Sequence, residues 1–504
     1  MNRKDFLRYS GIGAAFSLIS GSSVFISSCG KNNMMMNMDS MSGGPVNIIE
    51  GTFDMPLQFP QVSGGMVNLT AQNTKHSVFK NKYSQVFGYQ NNSILGPTIK
   101  VNSGTVVNAE LRNNLSEPTN IHWHGLIVPA AMDGHPDDVI QQGSSFNYNF
   151  MVNQRAGMYW YHPHADGYTS KHTFKGLAGI FIVNDKEEQA LNLPTGNFEI
   201  PIVIQDKRVF PDYSLDYSPQ MMEIMTGYLG QYIIVNGSYA PNHEVNRSSY
   251  RVRILNGSNA RIYNIALNNG DSFSVIGSDG GLLTSSQTVS SLIVGPGERA
   301  DLIINFDAYT LGQDIFLISK TFSAGSAQGK QEFRIMKFSV TKNDMDTFSM
   351  PASLSTINII PESTSTKTRT FTVSDMNMGS GMNMNGGMNS MKGFHKINDK
   401  SYQSDRIDET VKSGATEIWI FDNSAGQEPH PMHIHGIQFQ VLDRIGGRNS
   451  LIVTENGWKD TVLLMPGEKV RTIMKFSENK GKFVLHCHNL EHEDSGMMLQ
   501  FEVV

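Results

Sequence analysis

Histidine pairs spaced two residues apart are the most informative chemical feature of this 504-residue sequence. The chain has 15 histidines, and chance would place roughly 0.4 His-x-His pairs in a chain of this composition. Residues two apart on a β-strand project from the same face, so each pair can present two imidazoles to one centre. Together the pairs can supply eight ligands to a metal cluster. There are four of them: His122/His124, His162/His164, His433/His435 and His486/His488.

A cysteine lies inside the last pair. On a strand, Cys487 must face the opposite way from His486 and His488, so its thiolate can bind one metal while its neighbours bind others. A set of Cys487, two histidines and a weak axial methionine is typical of a blue-copper electron-transfer site. Zinc is the main competitor for Cys/His clusters, but its closed four-ligand sites would leave most of these histidines unused. The blue-copper set predicted here is His430, Cys487, His492 and Met497.

Single histidines and bulk composition carry less information. His76, His172, His243 and His395 stand alone and are interpreted as ordinary core or surface residues. Two cysteines cannot form a disulfide framework. A net charge of −6 gives no sign of a nucleic-acid partner, which would require a basic surface.

Short apolar runs between Gly, Pro and Asn must position these ligands. Residues 98–101, 105–109, 179–183 and 200–204 are typical examples, and no amphipathic helix of 15 or more residues stands out. This pattern predicts an all-β fold of sandwich or barrel domains. An Asn-containing motif follows a β-like run three times, near Asn113, Asn256 and Asn423. The spacing predicts three domains, at 46–190, 191–350 and 351–504, with a Met-rich insert at 376–391 in the third.

The first 45 residues have the character of an export leader and a tether. Residues 1–28 combine a basic start with a short apolar stretch, as a signal peptide does. Residues 2–7 resemble a twin-arginine signal whose second arginine is lysine, and Ile26–Cys29 resembles a lipobox that would lipidate Cys29. An ordinary signal peptide with an incidental cysteine is the alternative. Residues 29–45 are polar and Met-rich, and we interpret them as a tether.

The sequence resembles the multicopper oxidase family across residues 90 to 500. Within the family it is most similar to the three-domain bacterial copper-resistance or copper-efflux oxidases, which are laccase-like. The Met-rich third-domain insert, residues 396–398 and residues 458–462 also indicate this group. The resemblance rests on four copper motifs: His122-Trp123-His124-Gly125, His162-Pro163-His164, His430 to Gly436, and His486-Cys487-His488 followed by His492 and Met497.

The resemblance implies three cupredoxin-like Greek-key domains and four coppers per chain. The blue, type 1 site would use His430, Cys487, His492 and Met497. Asp133 and Glu493 match acidic positions that deliver protons to bound oxygen, and an ordinary ion-pair role is the alternative for each. The type 2 copper would use His122 and His433, and the type 3 pair would use His124, His162, His164, His435, His486 and His488.

The implied activity is one-electron oxidation of substrate coupled to four-electron reduction of O2 to water. Met-rich segments favour Cu(I) as substrate, since soft thioethers suit that ion, and the role would be periplasmic copper tolerance. The close relatives carry acidic and Met residues just before the first histidine of the third motif; here Glu428 is present and the Met is absent. Two alternatives remain: a laccase-type oxidase of small phenols, and a non-catalytic copper-sequestering envelope protein. We expect an exported, lipid-anchored monomer.

Overall fold

The computed structural model describes residues 46–325, 327–344, 347–374 and 392–504. The predicted signal peptide (1–28), the tether (29–45) and the Met-rich insert (376–391) lie outside the described residues. The described part of the chain contains 31 strands and four short α-helices, the longest of seven residues. In that part, no helix is both long and apolar enough to cross a membrane.

The first group of elements comes from residues 55–189. Its strands are β1 (Met55–Pro56), β2 (Val62–Ser63), β3 (Met66–Phe79), β4 (Lys82–Gly88), β5 (Thr98–Asn102), β6 (Val106–Asn113), β7 (Ser145–Met151), β8 (Gly157–Tyr161) and β9 (Gly179–Asn184). Two helices belong to this stretch, α1 (Thr169–Lys175) and α2 (Lys186–Gln189).

The middle group runs from residue 199 to residue 342. Its strands are β10 (Glu199–Lys207), β11 (Tyr232–Val235), β12 (Ser238–Tyr239), β13 (Pro241–Asn246), β14 (Ser249–Asn256), β15 (Tyr263–Leu267), β16 (Phe273–Ser278), β17 (Gly281–Val289), β18 (Leu292–Val294), β19 (Arg299–Asn305), β20 (Asp314–Ser319) and β21 (Phe333–Lys342). Helix α3 (Met221–Thr226) lies between β10 and β11.

The last group runs from residue 367 to residue 503. Its strands are β22 (Lys367–Ser374), β23 (Lys396–Ile397), β24 (Glu409–Val411), β25 (Thr416–Asn423), β26 (His430–Ile434), β27 (Gln440–Ile445), β28 (Thr461–Leu464), β29 (Glu468–Lys475), β30 (Gly481–Cys487) and β31 (Met498–Val503). Helix α4 (Leu490–Asp494) lies between β30 and β31.

Each group forms two sheets. The first has sheets β4-β3-β6-β7 and β2-β5-β9-β8. The middle has sheets β1-β13-β21-β20-β15-β18 and β12-β11-β10-β14-β19-β16-β17, so that β1 is the one strand taken from another group. The last has sheets β23-β22-β25-β29-β27 and β24-β31-β30-β26-β28.

Apolar residues from both sheets of a group pack into one core, which makes each group a β-sandwich. Strand β6 shows the cause, because its buried and exposed residues alternate without a break. In the first core Leu69 and Val107 of one sheet pack with Ile99 and Phe181 of the other. The predicted all-β fold of three sandwich units is therefore confirmed, while the boundaries at 190 and 350 stay predictions.

The three repeated asparagines occupy equivalent places. Each is the last residue of a strand (β6, β14 or β25), and its side-chain amide donates to the backbone carbonyls of two later residues. Asn113 bonds to the carbonyls of Glu117 and Ile140, both at 2.8 Å. Asn256 and Asn423 repeat this arrangement with their own loops, at 2.8 to 3.2 Å. The internal repeat thus corresponds to the same asparagine side-chain hydrogen bonds in each sandwich.

Strand β19 of the middle sandwich is held by a buried ionic network. Arg251 Nη1 and Arg253 Nη2 lie 2.8 Å and 3.0 Å from the same oxygen of Glu188. Arg251 Nη2 lies 2.5 Å from Asp301 on β19, and Arg253 Nε lies 2.7 Å from Glu199. Buried charges are tolerated only when they are paired and hydrogen-bonded, so strands β10, β14 and β19 and helix α2 are fixed relative to one another.

Replacing Glu188 by Ala is expected to lower the free energy of unfolding by about 3 kcal/mol or more, because it leaves two buried guanidinium groups short of a carboxylate. Denaturant unfolding at equal copper loading measures this. Glu110→Ala is the matched control, since Glu110 is an exposed carboxylate on β6. Equal stabilities of the two variants would contradict the role given to Glu188.

Candidate metal centre

The register of the sheets brings the histidine pairs together. Strand β26 pairs with β30 so that His433 lies opposite His486 and Met432 lies opposite Cys487. In the first sandwich an isolated bridge pairs His122 with His162 through two backbone hydrogen bonds. Backbone pairing alone therefore brings the first His-x-His pair to the second, and the third pair to the fourth.

Strand alternation separates Cys487 from its two neighbours. The Cys487 side chain packs in the apolar core of the last sandwich. Its Sγ lies 3.5 Å from His430 Nδ1 and 3.7 Å from His492 Nδ1, and the two nitrogens are 3.2 Å apart. All three residues are fully buried. One thiol and two ring nitrogens thus face one point, as predicted from the sequence.

The ring of His492 is oriented from outside this group. Its Nε2 lies 3.0 Å from the backbone carbonyl of Met225 on helix α3, to which it can donate a hydrogen bond. Asn489 Nδ2 also lies 3.0 Å from this nitrogen. A proton on Nε2 would leave the Nδ1 lone pair directed at Cys487. Met497 is fully buried in the same core, and its backbone joins His492 and Cys487 through hydrogen bonds of 2.9 and 3.0 Å.

The eight remaining predicted histidines form one buried cluster between the first and last sandwiches. Ligand atoms within 4.8 Å of one another define sets that could each hold a metal ion. One set, His164, His435 and His486, has Nε2 atoms at 3.1 and 3.2 Å separations. The other sets are His124/His162/His488 and His122/His124/His433.

One nitrogen of most rings is anchored by the protein. His122 Nδ1 donates to the carbonyl of Asp133 at 2.9 Å, and His433 Nδ1 donates to the carbonyl of Asp460 at 2.8 Å. Their Nε2 atoms then lie 3.3 Å apart with lone pairs facing each other. His162 is held in the same way, with Nδ1 2.8 Å from the carbonyl of Pro163. Such outer contacts fix the ring tautomer and aim the inner nitrogen at a common centre.

Burial keeps these imidazoles neutral. It lowers the pKa of His162 to about 3. It also lowers the pKa values of His122, His124 and His435 well below the ordinary range, and neighbouring histidines add to the effect. A neutral imidazole is the form that binds metals. The cluster is therefore ready to accept cations at neutral pH.

The ring nitrogens that face the interior of the histidine cluster indicate whether a metal ion fits there. Among the described residues, His124 Nδ1, His162 Nε2 and both ring nitrogens of His488 are buried without a hydrogen-bond partner. Buried polar atoms are normally satisfied, and leaving one unpaired costs about 1–3 kcal/mol. Because each of the three rings of one set carries an orphaned nitrogen, a bound metal ion accounts for one such nitrogen on each ring.

The two predicted carboxylates lie against the cluster. Asp133 Oδ2 accepts a hydrogen bond from His435 Nδ1 at 2.7 Å. Burial raises the pKa of Asp133 well above its ordinary value, and the nearby Asp138 adds to this. Glu493 lies between two rings, 3.4 Å from His164 Nδ1 and 3.2 Å from His486 Nδ1. The ten predicted histidines, Cys487 and the two carboxylates thus lie in two neighbouring groups.

Two residues of the site were missed by sequence reasoning. Asp460 Oδ1 lies 3.0 Å from His124 Nε2, and Arg299 of the middle sandwich donates to that same oxygen at 2.7 Å. Asp460 belongs to the 458–462 run that carried part of the resemblance, but no role followed from that. Arg299 gave no signal, because its partner lies 161 positions away.

Arg299 sits in a buried charge network that joins all three sandwiches. Its Nε donates to the carbonyl of Met158 in the first sandwich at 3.1 Å. Asp279 accepts from the Arg299 backbone at 2.8 Å and lies 2.9 Å from Lys459 Nζ. Lys459 also lies 3.0 Å from Glu298. The middle sandwich, which contributes no histidine to the cluster, therefore orients His124 through Asp460.

Comparison with known proteins identifies the family. Family models described as multicopper oxidase match residues 70–188, 160–337 and 336–504. The chain belongs to the multicopper oxidase family. The predicted resemblance is thereby confirmed, and the family implies copper cofactors and an oxidase.

Individual relatives agree with this. The chain is 35% identical over 456 residues to multicopper oxidase mco of Staphylococcus haemolyticus, covering 88% of this chain and 92% of the relative. It is 32% identical over 477 residues to a laccase of Bacillus subtilis, covering 83% and 90%. The crystal structure of McoA multicopper oxidase from Aquifex aeolicus superimposes with a TM-score of 0.81 at 34% identity, covering 89% and 99%. This multicopper oxidase is laccase-like in sequence and cupredoxin-like in fold.

Arg299→Lys is expected to reduce the copper content of this multicopper oxidase while its blue absorption band persists. Lysine keeps the charge but cannot hold Asp460 through two nitrogens, so the ring of His124 loses its orientation. Copper per chain and visible absorbance measure the two centres separately. Arg334→Lys, at an exposed ion pair with Glu50, is the control. Full copper content and unchanged turnover in Arg299→Lys would refute the positioning role.

Proposed function

We propose that this multicopper oxidase couples the one-electron oxidation of Cu(I) to the four-electron reduction of O2 to water. The observation that carries the proposal is the pair of buried donor sets. One contains Cys487 with two histidines, and the other contains eight histidines with orphaned inward nitrogens. The two sets are joined by consecutive residues of β30.

We assign the type 1 site to His430, Cys487, His492 and Met497, and the type 2 copper to His122 and His433. The type 3 pair falls to the two remaining sets of three histidines. When bound, copper would supply one-electron transfer at the first site and multi-electron reduction of O2 at the cluster. The chain holds the sites close: Cys487 is covalently continuous with His486 and His488, and adjacent Cα atoms are about 3.8 Å apart.

Two carboxylates would manage protons at the histidine cluster. Asp133 Oδ2 contacts His435, and Glu493 lies between His164 and His486, so the two groups reach the O2-binding region from different rings. A positioned acid at this place can protonate developing oxygen anions. Full burial of the cluster keeps bulk water out, which strengthens these interactions.

Cu(I) is the favoured substrate class because methionine is abundant in this chain, at 28 residues. Thioethers bind Cu(I) in preference to harder ions. No methionine directly precedes His430 in the sequence, but Met465 lies near this position in the fold. Met465 and Glu428 line one cavity beside the start of β26. The chain therefore offers a thioether and a carboxylate near His430 from two separate segments.

The same cavity supports a second candidate function. Its volume of about 750 Å³ is within the range of small-molecule sites, and Arg448 and Gln427 add polar groups to its wall. A small phenolic reductant would fit there. Laccase-type oxidation of phenols is therefore the alternative. The two candidate activities differ in which electron donor, Cu(I) or a phenol, reaches the blue-copper site faster.

For this exported protein we propose a periplasmic or cell-envelope location with a lipid anchor at Cys29 and a role in copper tolerance. The leader-like composition of residues 1–28 and the lipobox-like Ile26–Cys29 support this. We expect a monomer. Metabolic labelling with a fatty acid, compared between the wild type and Cys29→Ser, measures the anchor; label retained by the variant would exclude Cys29.

Oxygen uptake with Cu(I) and with guaiacol tests the activity. We expect O2 consumption with Cu(I) at a higher kcat/KM than with guaiacol, four Cu(I) per O2, and no peroxide. Cys487→Ser is expected to abolish both activities and the blue band, because serine offers no thiolate. Full turnover by Cys487→Ser would refute the oxidase, and uptake with guaiacol alone would favour the laccase alternative. Copper binding without any O2 uptake would instead indicate sequestration.

Asp133→Asn is expected to lower kcat by about 10²-fold or more while the blue band is kept, because the amide cannot give up a proton. Steady-state oxygen uptake and visible absorbance measure the two effects. Asp137→Asn is the matched control, since its partly exposed carboxylate lies on the same loop and contacts Tyr402. A kcat for Asp133→Asn equal to that of the control would exclude the proton-donor role.

A further inference from the structure

Helix α3, which contacts His492, carries three methionines. They are Met221, Met222 and Met225. Residues three and four apart are neighbours on a helix surface, so Met225 lies next to both Met221 and Met222. Three thioethers on one face of a short helix can therefore approach a single ion. These residues are separate from both Met-rich segments of the sequence.

The three side chains are accessible. Met222 is 38% exposed, and Met221 and Met225 are half-buried. Met221 packs against Phe394 and Ile224, where the described chain resumes after the Met-rich segment. An ion from solvent can reach these thioethers without opening the fold.

Helix α3 is in direct contact with the blue-site ligand. The carbonyl of Met225 lies 3.0 Å from His492 Nε2, and the other nitrogen of that ring faces Cys487. Gly227, which follows the helix at φ 94°, allows this approach: a Cβ there would come within 2.8 Å of the Asn489 side chain. The backbone of Met225 is thus one hydrogen bond away from the ring, and the other two methionines lie on the same short helix.

Glu223 helps to hold helix α3 in place. Glu223 lies 2.5 Å from Arg208 Nη1 and accepts a hydrogen bond from the backbone of Gln220 at 2.9 Å. Its carboxylate is therefore engaged, which leaves the thioethers as the free donors of this helix. Methionine-to-leucine changes conserve volume and should leave α3 in position.

We propose that Met221, Met222 and Met225 form a docking site for substrate Cu(I) at the point where electrons enter through His492. This proposal rests on the proposed cuprous oxidase function. Each docked Cu(I) would lose one electron to the copper that His430, Cys487 and His492 would hold, and would become Cu(II), a harder ion that thioethers hold less well. O2 is the final acceptor: four Cu(I), one O2 and four protons give four Cu(II) and two water molecules.

Ag(I) titration of the copper-loaded full-length protein tests the docking site without turnover, because Ag(I) is a soft monovalent ion that does not donate an electron here. We expect an Ag(I) equivalent that shifts the blue absorption band of the wild type. The triple variant M221L/M222L/M225L is expected to lose this equivalent in calorimetry together with the band shift. Its KM for Cu(I) should rise about tenfold, since soft donors have been replaced by hydrocarbon.

Met66→Leu is the control, because Met66 is 83% exposed on β3 of the first sandwich. It should match the wild type in the Ag(I) response and in KM. An unchanged band shift and KM in the triple variant would overturn the docking site and leave Cu(I) oxidation standing. Absence of Cu(I) oxidation in the wild type would instead overturn the proposed function, whatever Ag(I) does.

Discussion

Adjacent residues of a β-strand point to opposite faces, and at the end of β30 this alternation divides the chemistry of the molecule. Cys487 points into the core of its own sandwich and meets His430 and His492. His486 and His488 point out of that sandwich, where His486 meets His435 of the same sandwich and His164 of the first. His488 meets two histidines of the first sandwich, His124 and His162. The first sandwich must therefore dock against the last one, and the two centres are joined by consecutive residues.

The middle sandwich shows what this docking requires. It contributes no histidine to the cluster, yet Arg299 reaches from β19 to Asp460 beside His124. The buried network has three acidic groups (Asp279, Glu298 and Asp460) and two basic ones (Arg299 and Lys459), and burial raises the pKa of Glu298. Buried charges need partners, and each basic group here contacts two of the acidic ones. Copper in the adjacent cluster would place a further cation near Asp460.

Four consecutive residues of helix α4, residues 491–494, each contact a different part of the molecule. Successive helical residues point about 100° apart, so neighbours in sequence reach different surroundings. Glu491 accepts a hydrogen bond from Asn259 of the middle sandwich at 2.8 Å, and Asp494 accepts one from the backbone of Ser170 on α1 at 2.9 Å. Between them, His492 faces Cys487 and Glu493 faces the histidine cluster. The helix that carries a ligand of one centre and an acid of the other is thus tied to both partner sandwiches.

The sequence by itself determined the type of fold and which side chains of each motif share a face, because both are local patterns. A spacing of two puts the histidines of a pair on one face, the odd position of Cys487 turns it to the other, and alternating apolar runs make strands. Tertiary structure decided which histidines share a centre and that Asp460 and Arg299 orient His124. It also decided that two groups contact His492: the ring of His395 stacks on it at 4.0 Å, and helix α3 approaches it. These contacts join residues of different domains or distant loops. The spacing of residues along the sequence does not predict such a contact, because it forms only when the three sandwiches pack together.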